Sequence, residues 1–301
     1  MRAPQPRRFT SEVGGLGSFP EYPPRIVLDR EVRQGREVFR LDPPIRYDAV
    51  LPGHDELVGI VVPRPGSDFR TDLTSVPDWF TWLVPKSGQH LPAALIHDGL
   101  VPESGGEPDY ETVPPGIEID RIDADRVFRD AMFDTFVGRI RCYLVWAAVS
   151  VASLWLGPRP RARWPPALLW YFRVVIALTF LLIGYLGVSA TLDLAGRSGT
   201  FFRDLPWIPE DDGLLVPVLG GLAGAIAIPL VVGVAWGHYY RVGVIAQVAV
   251  AVLFHVTLAV ALVAVAYQVA EWLTEQAPEA ARKIMIVAVI ASVVAFLMLV
   301  T

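Results

Sequence analysis

Leu95-Ile96-His97-Asp98-Gly99 sets a histidine beside a carboxylate inside an apolar run. Pro92 stands where a first-turn proline fits, so Ala93-Ala94-Leu95-Ile96-His97-Asp98 is expected to be helical. Neighbouring helical residues project about 100° apart, which lets His97 face one partner and Asp98 another. Downstream, Asp123-Ala124-Asp125-Arg126 opens a second expected helix, running from about Ala124 to Phe136 with Asp123 or Asp120 as its cap. Val127, Phe128, Ala131, Met132 and Thr135 recur at helical spacing and mark its buried face. Upstream, Thr71-Asp72-Leu73-Thr74-Ser75-Val76-Pro77 forms a polar turn.

Outward from these blocks the chain changes character. Residues 1–24 are rich in Pro, Gly and Arg and are expected to be a disordered tail. No apolar stretch of signal-peptide length follows the basic residues near Met1, so no cleaved secretory signal is expected. Ile26-Val27-Leu28, Glu37 to Leu41, Ile45-Arg46-Tyr47 and Leu57 to Val62 are short β-prone runs punctuated by Pro43-Pro44, Pro52-Gly53 and Pro63 to Gly66. Together they predict a small antiparallel sheet. After Pro77 an aromatic-rich helical turn is expected around Trp79, Phe80, Trp82 and Leu83, and the proline- and glycine-rich segment 101–119 predicts a loop.

The apolar content rises sharply beyond Arg163. The whole chain is 53% hydrophobic with a mean hydropathy of +0.42. Four stretches, roughly 166–190, 213–236, 242–267 and 284–300, approach the ~20 residues that a membrane-crossing helix needs. Residues 142–157 are shorter, and a packed helix closing the soluble domain is expected there, with a membrane-surface helix as the rival. The fold class is therefore α+β, a small sheet plus helices over 25–157, followed by an all-α transmembrane four-helix region within 158–301.

Loop charge gives an orientation. Arg159, Arg161 and Arg163 precede the first span and Arg241 follows the second, whereas the intervening loop is acidic. The positive-inside rule then puts the soluble domain in the cytoplasm and the helices in the inner cell membrane; Arg282 and Lys283, on the outer side, run against it. The parts before and after Trp164 carry net charges of −3 (20 basic, 23 acidic) and −2 (6 basic, 8 acidic), which argues against a nucleic-acid partner. Cys142 is the only cysteine, which excludes an intrachain disulfide and multi-cysteine metal sites. Gly220, Gly221 and Gly224 in the second span offer a close-approach surface through which an oligomer could form. Within the third span, His255 and Gln247 are the polar side chains that stand out; a single neutral histidine suits an interhelical hydrogen bond.

Three blocks, Phe69 to Pro77, Ala93 to Asp98 and Asp123 to Met132, occur in the order found in the domain of unknown function (DUF) 1353 family, which the chain resembles over roughly residues 35–155. The resemblance implies no activity. A more distant likeness is to the phospholipase A2 core, where a histidine activates water, the next aspartate holds calcium and an aspartate on a second helix orients the imidazole. Carried over by position, those residues are His97, Asp98 and Asp125, with Asp72 as a further oxygen donor to a divalent metal such as calcium. Paired cysteines and a glycine-rich calcium loop, both part of that core, are absent here.

Two other readings compete. His90, His97, Asp98 and Asp123 or Asp125 supply the residue types of a metal-dependent phosphohydrolase. Alternatively, Asp72 and Ser75 only cap a turn, and His97, Asp98 and Asp125 form a polar network bracing two helices of a non-catalytic membrane scaffold. The favoured expectation is a membrane-tethered hydrolase acting on lipid or another amphiphile, with His97 as base and Asp125 as its orienter. Ser75 lacks the Gly-x-Ser-x-Gly setting of a serine hydrolase.

Overall fold

A computed structural model describes residues 8–11, 24–33, 36–73, 88–101, 107–157, 164–197, 199–209, 213 and 215–277. In chain order its strands are β1 (Phe9–Ser11), β2 (Leu28–Arg33), β3 (Arg36–Leu41), β4 (Ile45–Ala49), β5 (Val58–Val62), β6 (Arg70–Thr71) and β7 (Glu111–Val113). The helices are α1 (Leu91–Leu100), α2 (Arg121–Asp134), α3 (Arg139–Leu156), α4 (Pro166–Leu194), α5 (Leu215–Val232) and α6 (Tyr240–Gln276). A 3-10 segment, Gly233–Tyr239, joins the last two. The chain divides into two compact units, one of residues 1–76 and 81–252, the other of 77–80 and 253–301.

The α+β class expected from sequence is what forms, but with two antiparallel sheets instead of one. The first has strand order β1-β4-β5-β7 and the second β2-β3-β6. In the first, Ile45, Tyr47 and Ala49 alternate inward along β4, opposite Val62, Ile60 and Val58 of β5. That period-two pattern buries one face against α1 and α2. The β2–β3 ribbon instead carries surface ion pairs, Arg30 with Glu37 across the two strands and Arg33 with Glu31 along β2. Its charged residues hid its length: Leu28-Asp29-Arg30-Glu31-Val32-Arg33 has little apolar signal after Leu28.

Two loop expectations need correction. Phe9–Ser11, inside the expected tail, is a strand paired with β4, because the Phe9 ring is buried against Tyr47 at 4.6 Å between centroids. Glu111–Val113, inside the expected loop, pairs with β5 and inserts Thr112 into the domain. Each strand has only three residues, too few for alternation to stand out.

Tyr47 fastens this sheet to the far end of α2, its hydroxyl donating to Asp134 Oδ2 at 2.9 Å. Burial first, and the charge of Asp134 next, push the phenol above its ordinary pKa and keep it a neutral donor. Tyr47→Phe removes that donor and leaves Asp134 with Arg8 at 3.8 Å. A loss of about 1–2 kcal/mol is expected, read as a lower unfolding midpoint with unchanged secondary structure.

α3 contributes to two cores. Its Cys142 and Val145 belong to the core of the sheet domain. Its Trp146, Ala147 and Leu154 belong to a second core with Phe172 and Ile176 of α4, and Trp236 and Val242. Three segments are long and apolar enough to cross a membrane: Arg139–Leu156, Pro166–Leu194 and Leu215–Leu253. The expected count of four is therefore not reproduced among the described residues. α3 qualifies by composition, the expected second span and the beginning of the third form one apolar stretch, and 284–300 lies outside the described residues. That stretch is nevertheless broken between 236 and 242. Gly237 has φ 51° and ψ −118°, a backbone that glycine adopts at least cost. The chain bends there, so Gly233 packs on Val244 and Gly243 on Trp236.

Gly220 and Gly224 are used within the chain. Trp207, from the α4–α5 loop, lies against both, filling the space that side chains would take. In the second unit the described part is the continuation of α6 from Leu253 to Gln276, most of whose described side chains are exposed.

Candidate functional site

α1 brings two chemistries out of one turn. Leu95, Ile96 and Gly99 are buried, and Gly99 lies directly on Val62 of β5. This anchors the helix and turns His97 toward α2. Asp120 caps α2 by accepting from the Asp123 amide at 2.9 Å, as one of the two sequence-derived options had it. One turn further in, Asp125 has no solvent exposure, and His97 Nε2 lies 3.0 Å from its Oδ1. The imidazole itself keeps 14% of its side-chain surface exposed. The pair therefore has a sealed end and an open end.

Three further residues shape this dyad. Phe128, three residues beyond Asp125, stacks on the imidazole at 4.7 Å with a 29° interplanar angle. Arg121, four residues before Asp125, is half-buried; burial lowers its pKa and the Asp125 charge opposes that. Asp125 Oδ2 is buried with no hydrogen-bond partner among the described residues. The carboxylate thus turns its one formed hydrogen bond on the imidazole. An ionised Asp125 accepts from Nε2–H, which fixes the tautomer and leaves the Nδ1 lone pair to take a proton. Phe128 was legible only as a core residue, and Arg121 lay just ahead of the motif.

Asp98 goes elsewhere. Its Oδ2 accepts from the Thr71 hydroxyl at 2.5 Å, and Thr71 Oγ1 accepts from the Leu73 amide at 2.8 Å. Leu73 has φ 74°, so this turn is held in the left-handed region by Thr71. Thr71 was missed in the sequence because its neighbours Asp72 and Ser75 are the commoner turn-capping types. Asp72 and Asp98 do line one cavity of about 270 Å³, with Asp68, Glu107 and Asp109. Asp68 is drawn below the ordinary carboxylate range by its hydrogen bond from Arg70.

Calcium takes six to eight oxygens, from carboxylates, backbone carbonyls and water together. Among the described residues no group of three or more His, Cys, Asp or Glu side chains is placed to hold a metal ion. His90 is the N-cap residue of α1, about 10 Å along the helix from His97 at 1.5 Å per residue. Asp123 holds Arg126 at 3.1 Å on the α2 surface. These placements do not assemble the His-Asp phosphohydrolase cluster. Ser75 lies outside the described residues, as does the side chain of His255 within α6. Gln247 is fully buried, both its amide atoms without partners among the described residues.

An α+β domain with an imidazole–carboxylate pair bridging two packed helices is the class these elements define. Residues 45–149 match the family described as Protein of unknown function (DUF1353), a span that takes in β4, Thr71, α1, α2 and part of α3. No curated protein and no solved structure gives a significant match.

Proposed function

We propose that the chain is a membrane-anchored hydrolase whose cytoplasmic domain cleaves an ester in a lipid or another amphiphile, with His97 as general base. The observation that carries this reading is the 3.0 Å contact between His97 Nε2 and a carboxylate with no solvent exposure. A water at Nδ1 gives its proton to the imidazole as its oxygen attacks the ester carbonyl. Asp125 steadies the imidazolium, and the proton then passes to the departing alkoxide. No step is routed through a metal. The three apolar segments supply the reason for an amphiphilic substrate. The cytoplasmic side rests on Arg159, Arg161, Arg163 and Arg241.

The test is hydrolysis of phosphatidylglycerol in mixed micelles by the full chain, beside His97→Gln and His97→Ala. Loss of turnover by about 10²-fold or more with an unchanged circular dichroism spectrum is expected. Undetectable hydrolysis by the unaltered chain, or full activity in both variants, would overturn it. The bracing alternative draws on the Thr71–Asp98 hydrogen bond and the stacked Phe128. It predicts that His97→Ala unfolds a protein that has no turnover to lose.

A further inference from the structure

A second cavity, of about 630 Å³, opens between α2, α3, α4 and the bend before α6. We propose that it holds the phosphodiester headgroup of an anionic phospholipid. Arg126 and Arg129 of α2 reach it from one side, His238 and Arg241 from the other. Arg126 is paired with Asp123 at 3.1 Å, and Arg129 with Asp130 at 2.8 Å. Arg241 and His238 have no ion-pair partner among the described residues, so the lining carries one uncompensated guanidinium. A phosphodiester carries one negative charge and matches it. Arg guanidinium forks suit phosphate oxygens.

The remaining walls fit the rest of the lipid. Trp164 stacks on Phe172 at 5.3 Å, and Tyr239 meets Phe172 edge-on at 5.1 Å. Trp and Tyr favour the headgroup level of a bilayer. Trp164 precedes the first turn of α4, where one candidate span begins, and Tyr239 closes the 3-10 segment at the break within the apolar stretch Leu215–Leu253. Phe172 continues the apolar wall along α4 for an acyl chain. A volume of this size accommodates a headgroup, and basic pockets beside cytoplasmic helix ends suit anionic lipids. The inference stands apart from hydrolysis, since it uses Arg126 and Arg129 and leaves His97 and Asp125 out.

Native mass spectrometry of the full chain in neutral detergent reads the outcome. Phosphatidylglycerol should be retained over phosphatidylcholine, and the Arg129→Gln/Arg241→Gln pair should weaken retention by about tenfold or more. Arg203→Gln, in the loop between α4 and α5, should leave it unchanged. Because Arg241 is exposed, Arg241→Gln alone keeps the test readable if the double variant unfolds; it should still lose affinity. Equal retention of the two lipids, or unaltered retention by Arg241→Gln, overturns the proposal. Displacement of the lipid by millimolar glycerol phosphate would assign the cavity to a soluble phosphate ester and overturn the lipid source.

Discussion

If the proposed hydrolysis is correct, Asp125→Asn is expected to lower turnover by about 10²–10⁴-fold while the domain stays folded. The amide has the shape of the carboxylate, so packing around a residue with no solvent exposure is preserved. What it loses is charge and the fixed acceptor role. The asparagine NH₂ can donate to Nε2, which moves the imidazole proton to Nδ1 and blocks the position that must take a proton from water. Without the carboxylate, the imidazolium that forms during attack also has no counter-charge along the 3.0 Å contact. Nitrogen NMR of His97 gives a readout separate from rate: protonated Nε2 in the unaltered chain, mixed or reversed protonation in the variant. Unchanged turnover with a reversed tautomer would remove Asp125 from the mechanism.

Gly99→Val is expected to destabilise the domain by about 3 kcal/mol, with Gly99→Ala costing less. A Cβ built at Gly99 would lie 2.5 Å from Val62 Cγ1, 2.7 Å from Val62 Cγ2 and 3.1 Å from the Asp109 carbonyl oxygen. The helix would have to lift from β5, and the Asp109 amide, which donates to the Gly99 carbonyl at 2.8 Å, would be strained with it. Since α1 carries both His97 and Asp98, the site would shift as well. Trimming the opposing side chain should relieve the clash. The double variant Gly99→Ala/Val62→Ala is expected to be more stable than the sum of the single effects, by about 1 kcal/mol in a double-mutant cycle. Additive costs would show that the close approach is not what fixes α1 to the sheet.

Much of this was legible before any coordinates. Pro92 marked the start of α1, the spacing of Val127, Phe128, Ala131 and Met132 marked the buried face of α2, and the alternation through Ile45 and Tyr47 marked β4. The His97–Asp125 pairing was implied by the likeness to the phospholipase A2 core, and the two side chains meet at 3.0 Å. What escaped was set by tertiary contact. Phe9 becomes a strand residue only because Tyr47 offers it a ring. Thr71 matters only because the fold lays β6 beside the end of α1, a proximity that no local pattern encodes. The glycines of α5 looked like a seat for another helix, and Trp207 occupies it.

α3 has one end in the core of the sheet domain and the other in the apolar helices, and Cys142 and Leu154 are both sealed from solvent. The sheet domain is thereby joined to the apolar helices through a helix that both cores grip, instead of hanging from a flexible leash. Under the proposed membrane anchoring, the His97–Asp125 pair would meet the bilayer at one height and one tilt. Cargo diffusing freely in water gains nothing from such a mounting, whereas a molecule confined to the leaflet would arrive already aimed.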